Sequence, residues 1–589
     1  MRTLREVRVL LAACCTLAAC HNRIPVPADE AGPPTADAGV DGPIVVPDGP
    51  PPDAHRVCRK EATPLQSVTD PRGNFTLAVP ERVQVRIIGI DGAPRPTAAA
   101  TLDDGEVAAF VATRSAEGSD PVESLAEFQQ RVGAMLEDHG LGTVVLRASG
   151  ARGTSAEGNP DVKEAVWDIA SPKAVAPAYL RNWLIAVATN RGYGELVNLP
   201  SPGGRLTTSL VLKVTLVART DQIVVNAAVT DRASYDAPTS PVAVIAEDLA
   251  NGTAVAAAGR STSMTCDVGP ITGRAVADII WVVDESNSMS DNRQDIVNNA
   301  NKFFAKAIAA GLDFRMGVVG VKDPGKAGVT LGKFCSSIST DPADDGGEDR
   351  FLGPNEQATF SSCVKNPPYH ELGAEFGLTH GYHAVLRHLP RAANHPAKIR
   401  PEAKLALIFV TDEAPHELKQ GTSYGGKEGF LSYADYRSTG CHLDEKKQQT
   451  LEEFITPWTE LFSGAESPEA RATVHLIGGV CSNTCRAEMA YGYQELARRF
   501  GGQVGDVCQA DLSPTLQVIV DSIVASASPR VLGQRPISST LTVEVNGLRL
   551  PRSHQKGFAY NATSNALSFI NVGVNKGNQV VASYRRFEL

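Results

Sequence analysis

The feature that most constrains the fold is a nearly continuous apolar run at residues 277–283, which ends in the polar sequence Asp284-Glu285-Ser286-Asn287-Ser288. A strand that is apolar along its whole length is typical of a parallel sheet, because both faces of such a sheet are covered. Residues 293–312, which follow the polar sequence, have helical periodicity. This stretch therefore predicts a buried parallel strand, a polar loop at its carboxyl end, and a helix.

Further along the chain, the same pattern recurs. Residues 314–321, 404–411 and 474–480 are apolar runs typical of buried strands, and residues 512–526 have the pattern of a closing helix. Buried strands that alternate with helices predict a parallel sheet with helices on both faces. We therefore expect an α/β fold with a doubly wound, mainly parallel, Rossmann-like sheet over residues 270–530.

The sequences of these segments resemble the von Willebrand factor A (VWA) domain family, in particular its bacterial lipoprotein members. The resemblance is carried by DIIWVVDESNSM, by KLALIFVTDE, and by a late glycine pair before the last helix. The resemblance covers residues 270 to 589. The family's metal-ion-dependent adhesion site begins with Asp-x-Ser-x-Ser after its first strand. The resemblance implies that Ser286 and Ser288 bind a divalent cation directly, that Asp284 acts through water and hydrogen bonds, and that Asp412 is the last aspartate of the site. Hard cations prefer such oxygen ligands, so the implied cofactor is Mg²⁺ or Mn²⁺, with Ca²⁺ as an alternative.

One departure from the family pattern affects this site. The family supplies a threonine from a second loop, and the matching stretch here is ELGAEFGL at residues 371–378. Gly373 or its neighbour stands at the threonine position, and Thr379 lies later, where we expect a helix. Glu375 is the candidate replacement as an oxygen ligand. With an incomplete set of protein ligands, we expect weak cation binding; the alternative is the same fold with a degraded, empty site.

The amino terminus predicts export. Arg2, Arg5 and Arg8 precede an apolar run at residues 9–19, which has the length of a signal-peptide core and is too short to span a bilayer. The run ends in Leu17-Ala18-Ala19-Cys20, which resembles a bacterial lipobox. We therefore expect a lipoprotein signal peptide at residues 1–19, a lipid on Cys20, and a tether rich in Pro, Ala, Gly and Asp at residues 20–57. The expected location is the bacterial cell envelope, at the outer membrane, on either its periplasmic face or the cell surface.

The cysteine count agrees with an exported protein. Eight cysteines follow Cys20, and an even number in an exported chain predicts disulfides; they are Cys58, Cys266, Cys335, Cys363, Cys441, Cys481, Cys485 and Cys508. Cys335 and Cys363 flank a polar loop that a disulfide would close, and Cys58 and Cys266 bracket the region between them. The other pairings stay open.

Two regions flank the predicted sheet. Residues 58–266 have mixed strand and helix patterns and predict an α+β domain of unknown role, in which no catalytic constellation is visible. Residues 535–589 alternate apolar and polar side chains, and Asn546-Gly547 is a strong hairpin signal. This segment predicts a small C-terminal β module.

Three functional hypotheses follow. With 56 basic and 66 acidic residues, the net charge is −10, which argues against nucleic acid as a partner. The leading hypothesis is an envelope lipoprotein, not an enzyme, that is held at the membrane by its lipid and binds a protein or glycan ligand through the cation. The alternatives are a structural scaffold without metal and an exported enzyme with its active site in residues 58–266.

Overall fold

The computed structural model describes residues 42–47, 63–116, 121–152 and 162–588, with gaps at 238, 339, 342, 370–372, 425–426, 438–442, 463–471, 481–484, 486 and 529. The predicted signal peptide, Cys20 and most of the predicted tether lie outside the described residues. In the described ranges, no helix is both long enough and apolar enough to cross a membrane.

Residues 63–270 form mainly long strands. The strands are β1 (Leu65–Thr69), β2 (Thr76–Pro80), β3 (Gln84–Ile90), β4 (Ala98–Asp104), β5 (Val107–Ser115), β6 (Thr143–Arg152), β7 (Val162–Val175), β8 (Leu196–Val197), β9 (Thr207–Ala218), β10 (Gln222–Asp231), β11 (Val255–Ala256) and β12 (Thr262–Pro270). The helices are α1 (Pro121–Asp138), α2 (Pro177–Thr189), α3 (Arg232–Asp236) and α4 (Val242–Ala250). The mixture of strands and helices that the sequence predicts here is present.

Residues 276–526 contain shorter strands and more helix. The strands are β13 (Val276–Val283), β14 (Asp313–Val319), β15 (Lys404–Val410), β16 (Ser423–Tyr424), β17 (Lys427–Glu428), β18 (Ala472–Gly478) and β19 (Gln503–Asp506). The helices are α5 (Ser290–Ala309), α6 (Gln357–Lys365), α7 (Gly377–His388), α8 (Tyr433–Tyr436), α9 (Glu445–Phe462), α10 (Tyr493–Arg499) and α11 (Ser513–Ser526). The predicted strands in this region and its closing helix are confirmed as single elements.

The C-terminal residues form short antiparallel strands. These are β20 (Thr542–Val545), β21 (Leu548–Leu550), β22 (Gly557–Asn561), β23 (Ala566–Ile570) and β24 (Gln579–Phe587). The predicted turn at Asn546-Gly547 joins β20 to β21, with φ values of 49° and 83°. Such left-handed backbone favours Asn and Gly. β24 pairs with β20 and also with β12, so the C-terminal strands are tied to residues 262–270.

The predicted fold class is wrong. In the described part of the chain, the main sheet has 13 strands in the order β14-β13-β15-β18-β19-β6-β7-β9-β10-β5-β4-β3-β8. Of its neighbouring pairs, only the four from β14 to β19 are parallel. The pairs from β19 to β8 are all antiparallel. The molecule is therefore built on one mixed, mainly antiparallel sheet and not on a doubly wound, mainly parallel α/β sheet.

The reason lies at the junction of β19 and β6. Val504 of β19 pairs with Ser149 of β6 in an antiparallel register, so the strands of residues 63–266 continue the sheet that begins at β14. Apolar periodicity shows that a strand is buried, but it does not show which strand lies beside it. The predicted apolar runs at 277–283, 314–321, 404–411 and 474–480 correspond to strands of this sheet. Nothing in the sequence predicts that the strands before residue 266 continue the same sheet.

Hydrophobic cores lie on both faces of this sheet. Along β13, Ile279, Trp281 and Val283 pack into one core, while Ile280 and Val282 pack into the other. The second of these cores also contains Phe128 and Trp167 of the first region, so it extends along the sheet. β13 is thus covered on both sides, which explains its continuous apolar sequence.

Disulfides are present, as predicted. Among the described residues, Cys335 pairs with Cys363 and Cys485 pairs with Cys508. The first is the pairing that the sequence predicts, and the second is one that the sequence leaves open. Cys266 is also disulfide-bonded.

Candidate functional site

The candidate site lies at the carboxyl ends of two adjacent parallel strands. β13 and β15 run side by side, with Val283 paired to Val410, so the residues that follow them leave the sheet at the same edge. The Asp284 N–H donates to the Val410 carbonyl at 2.9 Å. This arrangement places Asp284 beside Thr411 and brings the loop after β13 next to Asp412.

A row of hydrogen-bonded oxygens runs from the protein interior to solvent along this edge. The Asp284 Oδ1 accepts the Ser286 N–H at 2.8 Å. The Ser286 and Ser288 hydroxyl oxygens are 2.9 Å apart, and the Ser288 hydroxyl donates to Asp412 Oδ1 at 3.2 Å. Asp284 is fully buried, whereas Ser288 is exposed. The structure therefore brings these four predicted site residues together at a position that solvent can reach.

Glu375, the fifth predicted residue, also lies at this edge. Its backbone forms a bridge with Lys322, and the neighbouring Phe376 N–H donates to the Val321 carbonyl at 2.6 Å. The Glu375 side chain lies close enough to Asp284 to interact with it electrostatically and is only 6% exposed. Its Oε2 atom is buried without a hydrogen-bond partner. A buried carboxyl oxygen of this kind is normally paired with a donor or a cation.

The threonines near the site occupy other places than the family pattern implies. Thr379 lies in the first turn of α7, and its N–H donates to Glu417 Oε1 at 2.7 Å. Gly373 is exposed. Thr411, which directly precedes Asp412, donates its hydroxyl to Asp284 Oδ2 at 2.8 Å. Thr411 thus holds Asp284, and it was not among the residues that the sequence singles out.

Burial, followed by repulsion between neighbours, makes the carboxyl groups at this edge harder to ionise. Burial, together with repulsion from Asp284 and Glu413, raises the pKa of Glu375 to about 11. Burial and then Asp284 raise the pKa of Asp412 to about 6, and burial raises the pKa of Asp284 against its hydrogen bonds. Burial likewise raises the pKa of Glu285 to about 8. A cation among these groups would remove the penalty for ionising them.

The nearby cationic side chains are directed elsewhere. Arg293, which is 9% exposed, donates from Nη1 to the backbone carbonyls of Asp284 and Ser286 at 2.9 and 2.7 Å. Lys419 contacts Glu413 and Glu488, each at 2.8 Å. Arg293 therefore fixes the loop after β13 and offsets the acidic charge only in part.

The donor atoms fit a divalent cation. Oxygens bound at about 2.1 Å to one octahedral cation lie about 3.0 Å from each other along the edges of its shell. The oxygen spacings along the Ser286, Ser288 and Asp412 row are 2.9 and 3.2 Å. With the unpartnered Glu375 oxygen beside Asp284, the donor set consists of carboxylates and hydroxyls. These are the ligands that Mg²⁺, Mn²⁺ and Ca²⁺ prefer.

A second group of possible ligands shares Glu375. Atoms of Glu375, Glu413 and His416 lie within 4.8 Å of one another. The His416 Nδ1 accepts the Glu375 N–H at 2.9 Å, so in the neutral ring the hydrogen is on Nε2 and no lone pair is free for a metal. Glu413 is already paired with Lys419. This group is therefore a poorer cation site than the row formed by Ser286, Ser288 and Asp412.

Comparisons with known proteins leave the identity of the chain open. No known protein family matches it, and no curated protein matches it. Similar solved structures include the pilus adhesin SpaC from Lactobacillus rhamnosus GG, which is 13% identical with a TM-score of 0.30 over 56% of this chain and 43% of the adhesin. PsbP (CyanoP) from Synechocystis sp. PCC 6803 is 10% identical with a TM-score of 0.21, over 34% of this chain and 97% of that one. Proximal thread matrix protein 1 from the mussel byssus is 13% identical with a TM-score of 0.23, over 44% of this chain and 49% of that one.

This chain thus covers less than half of the adhesin's length. TM-scores of 0.30 and below do not establish a shared fold, and no function follows from them. The VWA resemblance stays a prediction.

Proposed function

We propose that the chain is an envelope lipoprotein of VWA type that binds a protein or glycan ligand through a divalent cation at the edge formed by β13 and β15. The supporting observation is the convergence of Asp284, Glu375 and Asp412 with two serine hydroxyls, where a buried carboxyl oxygen has no partner. Buried like charges without full compensation are costly unless a cation joins them. We propose binding and not catalysis for this edge.

In this proposal each side chain has a defined task. Ser286, Ser288 and Asp412 hold the cation, Asp284 orients the two serines through the Ser286 N–H, and Glu375 fills the place of the family's threonine. The bound cation supplies a coordination position for an oxygen of the ligand. Because Ser288 is exposed, that position faces solvent.

The affinity for the cation alone should be modest. Mg²⁺ loses its water reluctantly and gains little from an incomplete protein shell. We expect dissociation constants of about 1 mM for Mg²⁺ or Mn²⁺ in the absence of ligand. Ligand and cation should then bind cooperatively, each raising the affinity of the other by the same factor.

Calorimetry tests the cation site directly. Mn²⁺ titrated into the full chain should give a saturable heat that is lost in Asp284→Ala and Ser286→Ala. Asp291→Ala, which removes an exposed carboxylate in the first turn of α5, should keep the heat. An absence of heat in the wild type would remove the cation mechanism and leave the metal-free scaffold as the better account.

The envelope location is a separate part of the proposal. The disulfides Cys335–Cys363 and Cys485–Cys508 support an oxidising compartment, and Cys20 is the proposed lipid site. Cys20→Ser should move the protein from the membrane fraction to the soluble fraction. Retention of that variant after a carbonate wash would contradict the lipid anchor.

A further inference from the structure

Within the predicted tether, residues 42–47 pack against the C-terminal β module. The side chains of Ile44 and Val46 are 6% and 7% exposed, and both belong to the core formed mainly by β20, β22, β23 and β24. Val45, which lies between them, is 81% exposed. Side chains that alternate between core and solvent are typical of a strand with one buried face. This part of the tether is therefore attached to the folded body.

Hydrogen bonds from two turns of the module hold this segment. The Ile44 N–H donates to the Asn571 carbonyl at 2.7 Å, and the Ile44 carbonyl accepts the Gly573 N–H at 2.8 Å. The Pro47 carbonyl accepts a hydrogen bond from Asn546 Nδ2 at 2.8 Å. Asn571 and Gly573 follow β23, whereas Asn546 belongs to the turn between β20 and β21. The segment from Ile44 to Pro47 is thus fixed at both ends, and we call it the clamped segment.

The sequence of the clamped segment favours this contact. Pro43 precedes the segment and Pro47 ends it. Proline fixes its own φ and keeps the preceding residue out of helical backbone. Ile44, Val45 and Val46 are β-branched and also prefer extended backbone. Since a segment that is already extended loses less conformational entropy when it docks, the docked conformation is one that the free chain favours.

The clamped segment and the cation edge lie at opposite ends of the same elements. The Asn571 N–H donates to the carbonyl of Ala309, the last residue of α5, at 2.6 Å. α5 has 20 residues and begins at Ser290, directly after the loop of the cation edge, so it is about 30 Å long. β13 spans the same two places, because Ile271, which precedes it, lies in the core of the module and accepts the Gly577 N–H at 2.9 Å.

On the basis of the proposed lipid anchor and cation site, we infer that the C-terminal β module clamps the tether and thereby turns the cation edge away from the membrane. The chain then leaves the folded body toward Cys20 at Ile44, at the opposite end of α5 from the cation edge. Residues 21–43, even if fully extended, span at most about 80 Å. The cation edge lies about 30 Å beyond the clamped segment, so a ligand reaches it from the side opposite to the membrane.

A matched pair of variants tests the clamp. Val46→Asp places a carboxylate in the core of the module, and Val45→Asp places the same group in solvent. In hydrogen exchange followed by mass spectrometry, the Ile44 N–H should exchange at least about tenfold faster in Val46→Asp than in the wild type. In Val45→Asp it should keep the wild-type rate within about twofold. The N–H groups of β24 should stay protected in both variants, which distinguishes release of the segment from unfolding of the module.

Energy transfer to the bilayer tests the orientation. The lipidated full chain is placed in liposomes of phosphatidylethanolamine and phosphatidylglycerol that carry an acceptor dye on their headgroups. A donor dye is attached either at Lys576→Cys, in the exposed loop after β23, or at Asp291→Cys, in the first turn of α5. The transfer rate should be at least about twofold higher from the first position, because the second lies about one helix length further from the clamp. This ratio should fall in Val46→Asp and stay unchanged in Val45→Asp.

Three results would overturn the inference. An Ile44 N–H that exchanges equally fast in the wild type and in Val46→Asp would show that the segment is not clamped. Equal energy transfer from the two dye positions, with Cys20→Ser released from membranes and the Mn²⁺ heat present, would remove the orientation and leave the proposed function standing. A chain that carries no lipid on Cys20 would remove the orientation together with the lipid anchor.

Discussion

The two ends of strand β13 carry buried aspartates in opposite circumstances. Asp278, near the start of the strand, and Asp284, just beyond its end, are both 0% exposed. Arg315 bonds both oxygens of Asp278 at 3.0 and 2.8 Å. Arg400 adds its Nε at 2.9 Å and its backbone N–H at 2.7 Å. The charge on Asp278 is thus fully compensated by the protein.

At the other end, the bonds to Asp284 come from uncharged groups, the Ser286 N–H and the Thr411 hydroxyl. The groups that surround it include the carboxyls of Glu285, Glu375 and Asp412. A buried charge that other side chains neutralise helps to hold the fold together. A buried carboxylate that is surrounded by like charges can instead bind an external cation.

The largest expected effect is at the compensated end. Asp278→Asn should lower the free energy of unfolding by about 3–5 kcal/mol, because it leaves two arginines without their shared carboxylate. Chemical denaturation in cation-free buffer measures this. Asp313→Asn is the matched control: Asp313 contacts the same Arg400 at 2.8 Å but is 51% exposed. We expect it to cost less than about 1 kcal/mol.

Equal losses in the two variants would contradict the contrast between buried and exposed partners. Cation binding gives a second check on the folded Asp278→Asn protein. Its affinity for Mn²⁺ should match the wild type, because Asp278 lies at the opposite end of the strand from Ser286.

The next effect is at the uncompensated end. Asp284→Asn should change the unfolding free energy by less than about 1 kcal/mol without cation, because the lost hydrogen bonding is offset by the relief of repulsion. At 10 mM Mn²⁺, the wild type should gain about 1.4 kcal/mol if the dissociation constant is about 1 mM. The variant should gain nothing. Thermal unfolding with and without Mn²⁺ measures both, and an equal gain in the variant would rule out a role for Asp284 in cation binding.

The sequence predicts the local elements of this edge well and the wider arrangement poorly. The run at 277–283 predicts β13 because a strand covered on both faces must be apolar throughout. The placement of Ser286, Ser288 and Asp412 follows from strand ends that meet at one edge. The sheet beyond β19 could not be predicted, because its pairing with β6 joins residues far apart in the chain.

Some side-chain contacts at the site could not be predicted either, because they also join residues that are far apart in the chain. Thr411 contacts Asp284 only because Val283 and Val410 are in register, and periodicity does not reveal register. Arg293 looks like an ordinary helix residue until its bonds to the loop carbonyls are seen. His416 contacts Glu375 although the two residues are 41 positions apart in the chain. Glu375 was accessible to sequence reasoning, since it stands near the missing threonine.

The smallest expected effect is the pH dependence of stability, and it tests directly whether the carboxyl groups at the Asp284 end of β13 are uncompensated. Burial raises the folded pKa of Asp412 to about 6 and that of Glu285 to about 8, above the unfolded values of about 4. At a pH between the unfolded and the folded pKa of each group, the folded state binds more protons than the unfolded state. The free energy of unfolding therefore falls as pH rises. We expect the cation-free protein to lose about 1 kcal/mol between pH 5 and pH 8 from Asp412, which is partly exposed and therefore screened.

Asp412→Asn isolates this contribution, because every other titrating group is shared by the two proteins. The difference in unfolding free energy between wild type and variant should therefore shift with pH in favour of the variant when EDTA is present. With Mn²⁺ the shift should reverse, because the cation binds the ionised carboxylate and competes with protons. At pH 8 the cation should stabilise the wild type more than at pH 5. Parallel pH curves for the two proteins in both buffers would mean that Asp412 neither repels its neighbours nor binds the cation, and the two ends of β13 would then differ only in their arginines.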